Sequence, residues 1–183
     1  MLRRVTIGEL RRHDAPISLQ EYDPNWPRLF LREKRRIRGA LGPRAIRLEH
    51  VGSTSVPGLP AKPILDILLV VAESSDESSY VPALAAQGYL LRIREPDWHQ
   101  HRLLKGPDTN VNLHVFSAGS VEIDRMLTFR DLLRTNPAAR ERYAATKRDL
   151  ARRTWKYVQN YADAKSEVVE TLLASAQRSS AGK

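Results

Sequence analysis

The stretch from Leu48 to Val71 constrains this chain most. It reads as a short strand, a turn of small and hydroxyl residues, and a second strand from Ile64 to Val71. Gly52 and Gly58 permit positive φ or close approach of backbone to a ligand. Ser53, Thr54 and Ser55 offer hydroxyl donors, and successive loop N–H groups can form an anion-binding nest. Lys62 adds a point charge suited to phosphate, and Pro57, Pro60 and Pro63 stiffen the connection. The second strand is apolar on both alternating faces, as expected when a sheet is covered on both sides. Asp66 interrupts it. An ionised carboxylate there is costly unless paired, hydrogen-bonded or metal-bound. Either Asp66 opens the strand and accepts loop N–H bonds, or it holds a metal or substrate beside a phosphate loop.

Around this centre the periodicity predicts an α/β chain. Ile17 to Tyr22 alternates as a short strand. Asp23 is placed to cap a helix with Pro24 at its first position. Trp26, Leu29, Phe30, Ile37 and Leu41 share one helical face, and Gly42-Pro43 ends that helix. The arginines and lysines between positions 28 and 38 read as a solvated face or a nucleic-acid-facing patch. Ala45 to His50 leads into the turn. His50 is equally a core residue or a substrate contact, and Glu49 lies on the opposite face from it. Tyr80 to Gln87 reads as a helix closed by Gly88, and Tyr89 to Ile93 as a strand. His101 to Lys105 and Val111 to Phe116 form a hairpin that puts Asn112 and His114 on one face. His99, His101 and His114 match no standard zinc spacing. Ser120 to Thr135 is a helix in which Arg130 serves either a structural network or a phosphate clamp. Asn136-Pro137 starts another, running to about Tyr157, with Tyr143, Lys147, Leu150 and Trp155 on a buried face. Asp163 can cap the last helix.

At 183 residues the chain suits one domain with a full core. The expected layout is a flexible tail over 1–16, a single domain over 17–177 and a flexible C-terminus over 178–183. The absence of cysteine removes disulfides, thiolate metal sites and a cysteine nucleophile, and fits a cytoplasmic protein. A formal charge of +9 and a pI near 10.2 favour anionic partners: nucleotides, nucleic acid or acidic lipid. No apolar run reaches membrane-spanning length and no secretory leader is evident.

The run His50 to Leu59, followed by Ala61-Lys62-Pro63-Ile64 and Asp66-Ile67, resembles the hallmark of the GrpB-like family. Tyr22-Asp23-Pro24-x-Trp26, Leu113-His114-Val115, Phe129-Arg130-Asp131-x-Leu133-Arg134 and Tyr161-x-x-x-Lys165 resemble its further motifs in order. Together they cover about residues 17 to 175. The resemblance implies an α/β (α+β) nucleotidyltransferase-like fold: a small mixed β-sheet flanked by helices, with a C-terminal helical group. It implies Asp66 as the catalytic acid and as ligand to one divalent ion, Mg²⁺. Gly52, Ser53, Thr54, Ser55 and Lys62 are the expected phosphate contacts, with Arg102, His114, Arg130, Lys147 and Lys165 as further walls of the cleft. The general nucleotidyltransferase pattern has a second acid two residues after the first; here that position is Leu68, so a two-metal site lacks a shared carboxylate. Two expectations follow. One is nucleotidyl transfer on a nucleotide or phosphorylated small molecule. The other is a catalytically inactive module that binds nucleotide or RNA. Similar domains joined to dephospho-coenzyme A kinase in some bacteria point to a coenzyme A or nucleotide connection.

Overall fold

The computed structural model describes residues 2–9 and 14–181. Five β-prone segments pair into one sheet: β1 (Arg47–Val51), β2 (Leu65–Val71), β3 (Leu90–Glu95), β4 (His101–Lys105) and β5 (Val111–Ser117), in the order β1-β2-β5-β4-β3. β2 and β5 run parallel, and the other neighbours are antiparallel. The helices are α1 (Leu2–Val5), α2 (Trp26–Leu41), α3 (Val81–Ala85), α4 (Val121–Thr135), α5 (Pro137–Ala151), α6 (Val158–Ala164) and α7 (Ser166–Ala181). This is the α+β architecture expected: a small mixed sheet, flanking helices and a C-terminal helical group.

Alternation along β2 divides the core. Leu65, Ile67, Leu69 and Val71 pack with Trp26, Ile37 and Leu41 of α2 and Leu84 of α3. Leu68 and Val70 point the other way, onto Val51, Phe116 and the α4 residues Ile123 and Leu127. Burial on both faces is the reason for the unbroken apolar run. A third cluster seats Val56 and Leu59 of the turn against Leu133, Tyr143, Val168 and Leu172, which pins the turn to the C-terminal helices.

Several local expectations are corrected. Ile17 to Tyr22 is not a strand; only Gln20 bridges Ala61, through two backbone bonds of 2.9 Å. Asp23 accepts the Asn25 N–H at 2.8 Å and so organises a turn before α2, which starts at Trp26 with Pro27 in its first turn. The helix expected over Tyr80 to Gln87 spans only Val81–Ala85. α5 stops at Ala151 rather than Tyr157: Trp155 instead bridges Ala15 and donates its indole N–H to the Leu150 carbonyl at 2.8 Å. Asp163 caps nothing; it lies inside α6 and accepts from Gln159. Within the first sixteen residues, Thr6 bridges Ile93 and Ile7 N–H donates to the Arg92 carbonyl, alongside the β3 edge.

Candidate active site

Asp66 stands near the start of β2, opposite Val51 on β1 and beside Asn112 on β5. The chain leaves β1 and turns at Gly52 with φ +66°. A Cβ on Gly52 would lie 2.4 Å from Asp66 Oδ2, so only glycine lets the turn close over the acid. Asn112 Nδ2 donates to Asp66 Oδ1 at 2.8 Å, and His114 Nε2 lies 3.4 Å from the same oxygen. Burial pushes this carboxyl up, but His114, Asn112 and the charge on Lys165 outweigh it and hold it below its ordinary value. Oδ2 is left facing the turn.

Amines gather around this one carboxylate. Lys147 of α5 is 2% exposed; its Nζ reaches Ser53 Oγ at 2.8 Å and also donates to the Pro60 carbonyl. Lys62 and Lys165 lie over the Tyr161 ring at 5.5 and 4.7 Å. Lys105 donates to Asn112 Oδ1. Burial, reinforced by mutual repulsion, lowers Lys147 to about 6 and Lys62 to about 8. Lys165 and Lys105 are lowered by burial against the pull of Asp66.

Two cavities meet at Gly52, Ser53, Asp66, His114 and Lys165. One, of about 400 Å³, is walled by Lys62, Lys105, Lys147 and Lys165. The other, of about 320 Å³, is walled by Trp98, Phe116, Met126, Phe129 and Tyr143. Behind His114 runs a chain of side chains: His114 Nδ1 lies 3.1 Å from His101 Nε2, and His101 Nδ1 lies 2.7 Å from Glu95. It fixes the ring that faces Asp66.

The expected site residues divide. Gly52, Ser53, Lys62, Asp66, His114, Lys147 and Lys165 come together. Thr54 and Ser55 do not present their hydroxyls to the cleft. Thr54 is 1% exposed, donating to the Ile64 carbonyl and facing His50 Nε2 at 2.9 Å, while Ser55 Oγ donates to the Gly52 carbonyl at 2.6 Å. They hold the turn. Arg102 points to the other face of the sheet, where Glu77 and the Gln100 carbonyl take its guanidinium. Arg130 borders the aromatic cavity, but its donors go to Asp131, Glu49 and the His50 carbonyl. Glu49, opposite Leu68 in the β1–β2 register, is tied to Arg130 and Arg47 and does not replace the second acid. His50 stacks on Phe30 of α2, on the far face. Sequence reasoning left Lys105 out of the site and gave Tyr161 only as part of the motif that ends at Lys165. For Lys105, alternation with His101 on β4 carried the signal.

The donors do not fit a resident divalent ion. Mg²⁺ takes hard oxygen ligands in octahedral array, whereas one carboxylate here faces four amines. Among the described residues no three His, Cys, Asp or Glu side chains are grouped to hold a metal.

Fold and cleft together define an α+β domain with an amine-lined cleft built on a glycine turn and one acid. The family model described as GrpB protein matches residues 16–175, and the chain belongs to that family. A relative, UPF0157 protein BH1888 of Halalkalibacterium halodurans, is 62% identical over 175 residues, covering 96% of this chain and 90% of its own. The crystal structure of the conserved protein GrpB from Enterococcus faecalis has a TM-score of 0.69 at 29% identity, covering 84% of this chain and 98% of that one. A dephospho-CoA kinase of Mycobacterium tuberculosis is 30% identical over 177 residues; the match covers 82% of this chain and 44% of the kinase.

Proposed function

We propose that the paired cavities bind a nucleotide, or a similar phosphorylated small molecule, for nucleotidyl transfer. The observation that carries this reading is the division of labour around Asp66. Four amines line one cavity and an aromatic wall lines the next. Phosphates suit the first, since ammonium groups are point-charge phosphate binders. A base or other flat apolar group suits the second. Burial depresses these amines, with repulsion adding to it at Lys62 and Lys147. A ligand's negative charge would offset this at Lys62, Lys105 and Lys165, which would supply the binding charge. Asp66, ionised and aimed by His114, is placed to take a proton from an acceptor hydroxyl. Magnesium enters this reading only as the ion a triphosphate carries with it.

A second reading, a binding module without turnover, draws on Leu68: this second-acid position is buried in an apolar cluster. Calorimetric titration with the four nucleoside triphosphates, with and without Mg²⁺, tests both, together with assay of released pyrophosphate. Dephospho-coenzyme A joins the probes because the mycobacterial relative is named for it. Saturable binding that Lys62→Met weakens at least tenfold, with pyrophosphate release lost in Asp66→Asn, supports the site. Unchanged affinity in Lys62→Met refutes its placement. Binding without pyrophosphate release selects the module, and steep salt dependence with long RNA but no binding of mononucleotides selects nucleic acid instead.

A further inference from the structure

We infer that Ser53 is a nucleophile and Lys147 its general base, so that the protein forms a covalent Ser53 adduct with a phosphoanhydride substrate. This rests on the reading of the amine-lined cavity as a phosphate site and goes one chemical step beyond it. A weak hydroxyl nucleophile needs an adjacent base that is neutral, oriented and within hydrogen-bond reach. Lys147 meets each condition. Its Nζ is 2.8 Å from Ser53 Oγ. One N–H is committed to the Pro60 carbonyl, which can only accept, and this fixes the amine's direction. The side chain lies over the Tyr143 ring at 5.4 Å and is shut off from solvent. Burial, with Lys165, Lys62 and Arg148 adding repulsion and Asp66 opposing, brings it down to about 6. At rest Nζ donates to Ser53 Oγ, and the Ser53 hydroxyl also pairs with Tyr143. Near neutral pH the amine keeps a lone pair, and in the step proposed the hydroxyl turns its hydrogen onto that pair.

The neighbouring hydroxyls show that this arrangement is particular. Thr54 and Ser55 are buried and donate to carbonyls within the loop. Of the three, Ser53 alone has an amine beside it and borders both cavities. In the step proposed, Ser53 Oγ attacks phosphorus and a new O–P bond forms. The P–O bond to the leaving phosphate or pyrophosphate breaks and takes the electron pair with it. The hydroxyl proton passes to Lys147 Nζ, which becomes an ammonium. Lys62 and Lys165 face the departing negative charge.

The test uses the full chain. It is incubated with each of the four nucleoside triphosphates and, separately, with a phosphonofluoridate probe that reacts with activated serines. Peptide mass analysis is expected to find a phosphoryl or nucleotidyl group on Ser53, absent from Ser53→Ala. Probe labelling of Ser53 should rise about tenfold per pH unit below the Lys147 value of about 6 and level above it, and Lys147→Met should abolish it. A protein that binds nucleotide but stays unmodified, with probe labelling no faster than at exposed serines, overturns the inference and leaves the binding site standing. Absence of nucleotide binding together with rapid Lys147-dependent labelling would instead refute the phosphate reading while retaining the dyad, and the inferred phosphoanhydride substrate would fall with it.

Discussion

Replacing Lys147 with methionine should stabilise this protein, although it deletes two hydrogen bonds. The unfolded chain carries a protonated lysine with an ordinary value of 10.5, whereas the folded amine is held near 6. Between those values the unfolded state binds the extra proton, so folding at pH 7 must discharge the amine at a cost of about 5 kcal/mol. Methionine has nearly the same length and bears no charge. Its drawback is the Pro60 carbonyl left without a donor, a loss of about 1–3 kcal/mol. Lys147→Met is then more stable by roughly 2–4 kcal/mol at pH 7. The sign of the pH dependence follows. The folded value is depressed for a cation, so wild-type stability rises with pH from about 6 toward 10.5. The variant lacks that rise, and its advantage should shrink by about 1.4 kcal/mol for each pH unit above 7. Urea unfolding followed by fluorescence of the buried Trp26 at several pH values measures the difference directly. Effects of other groups cancel to the extent that both proteins share them, Lys62, Lys165, Asp66 and Arg148 being the charged neighbours that face the amine. An advantage that does not vary with pH, or a variant less stable than wild type at pH 7, refutes the claim of a neutral amine.

Gly52→Ala should cost roughly 2–4 kcal/mol in thermal or urea unfolding, because φ +66° is unfavourable for alanine and the added methyl meets Asp66; wild-type stability would mean the turn does not close over the acid. Leu68→Asp should lose about 3 kcal/mol or more, since an unpaired carboxylate would sit among Val51, Val70 and Phe116. Mg²⁺ should not restore it in urea unfolding, and a large metal-dependent recovery would show that a two-metal site is latent here. Nucleoside triphosphate binding at pH about 8 should take up protons, because an anion raises the lowered Lys62 amine back toward its ordinary value. Calorimetry in two buffers of different ionisation heat reads this directly, and proton release would contradict it.

Much of the architecture was legible because it depends on period. Ile64 to Val71 announced a doubly covered strand, and the Gly106 hairpin announced the pairing of β4 with β5. Gly52, Ser53 and Asp66 were legible for a different reason: a glycine, a hydroxyl and an acid out of place in an apolar strand each need a local explanation. What sequence could not supply was partnership across distance. Trp155 looks like one more residue of a helical stripe, yet Ala15, far away in the chain, captures its backbone and the helix ends four residues earlier. Thr54 and Ser55 look like phosphate ligands until the carbonyls they serve are known.

The same limit applied to the cations, and there the structure supplies a criterion. Arg102, Arg130, Lys62 and Lys147 read alike in sequence as walls of an anion site. In the fold, Arg130 is matched to Asp131 and Glu49, and these partners raise it above its ordinary value. Arg102 is matched to Glu77 on the far face. A planar guanidinium with five donors collects carboxylates and carbonyls when buried, and once collected they leave little for a ligand. The lysines around Asp66 share one carboxylate among four, and burial drives each of those amines down. A fold gains nothing in stability from buried cations left short of anions. On the reading proposed above, their grouping beside Asp66 serves an anionic ligand, and the fold gives up stability to hold them there.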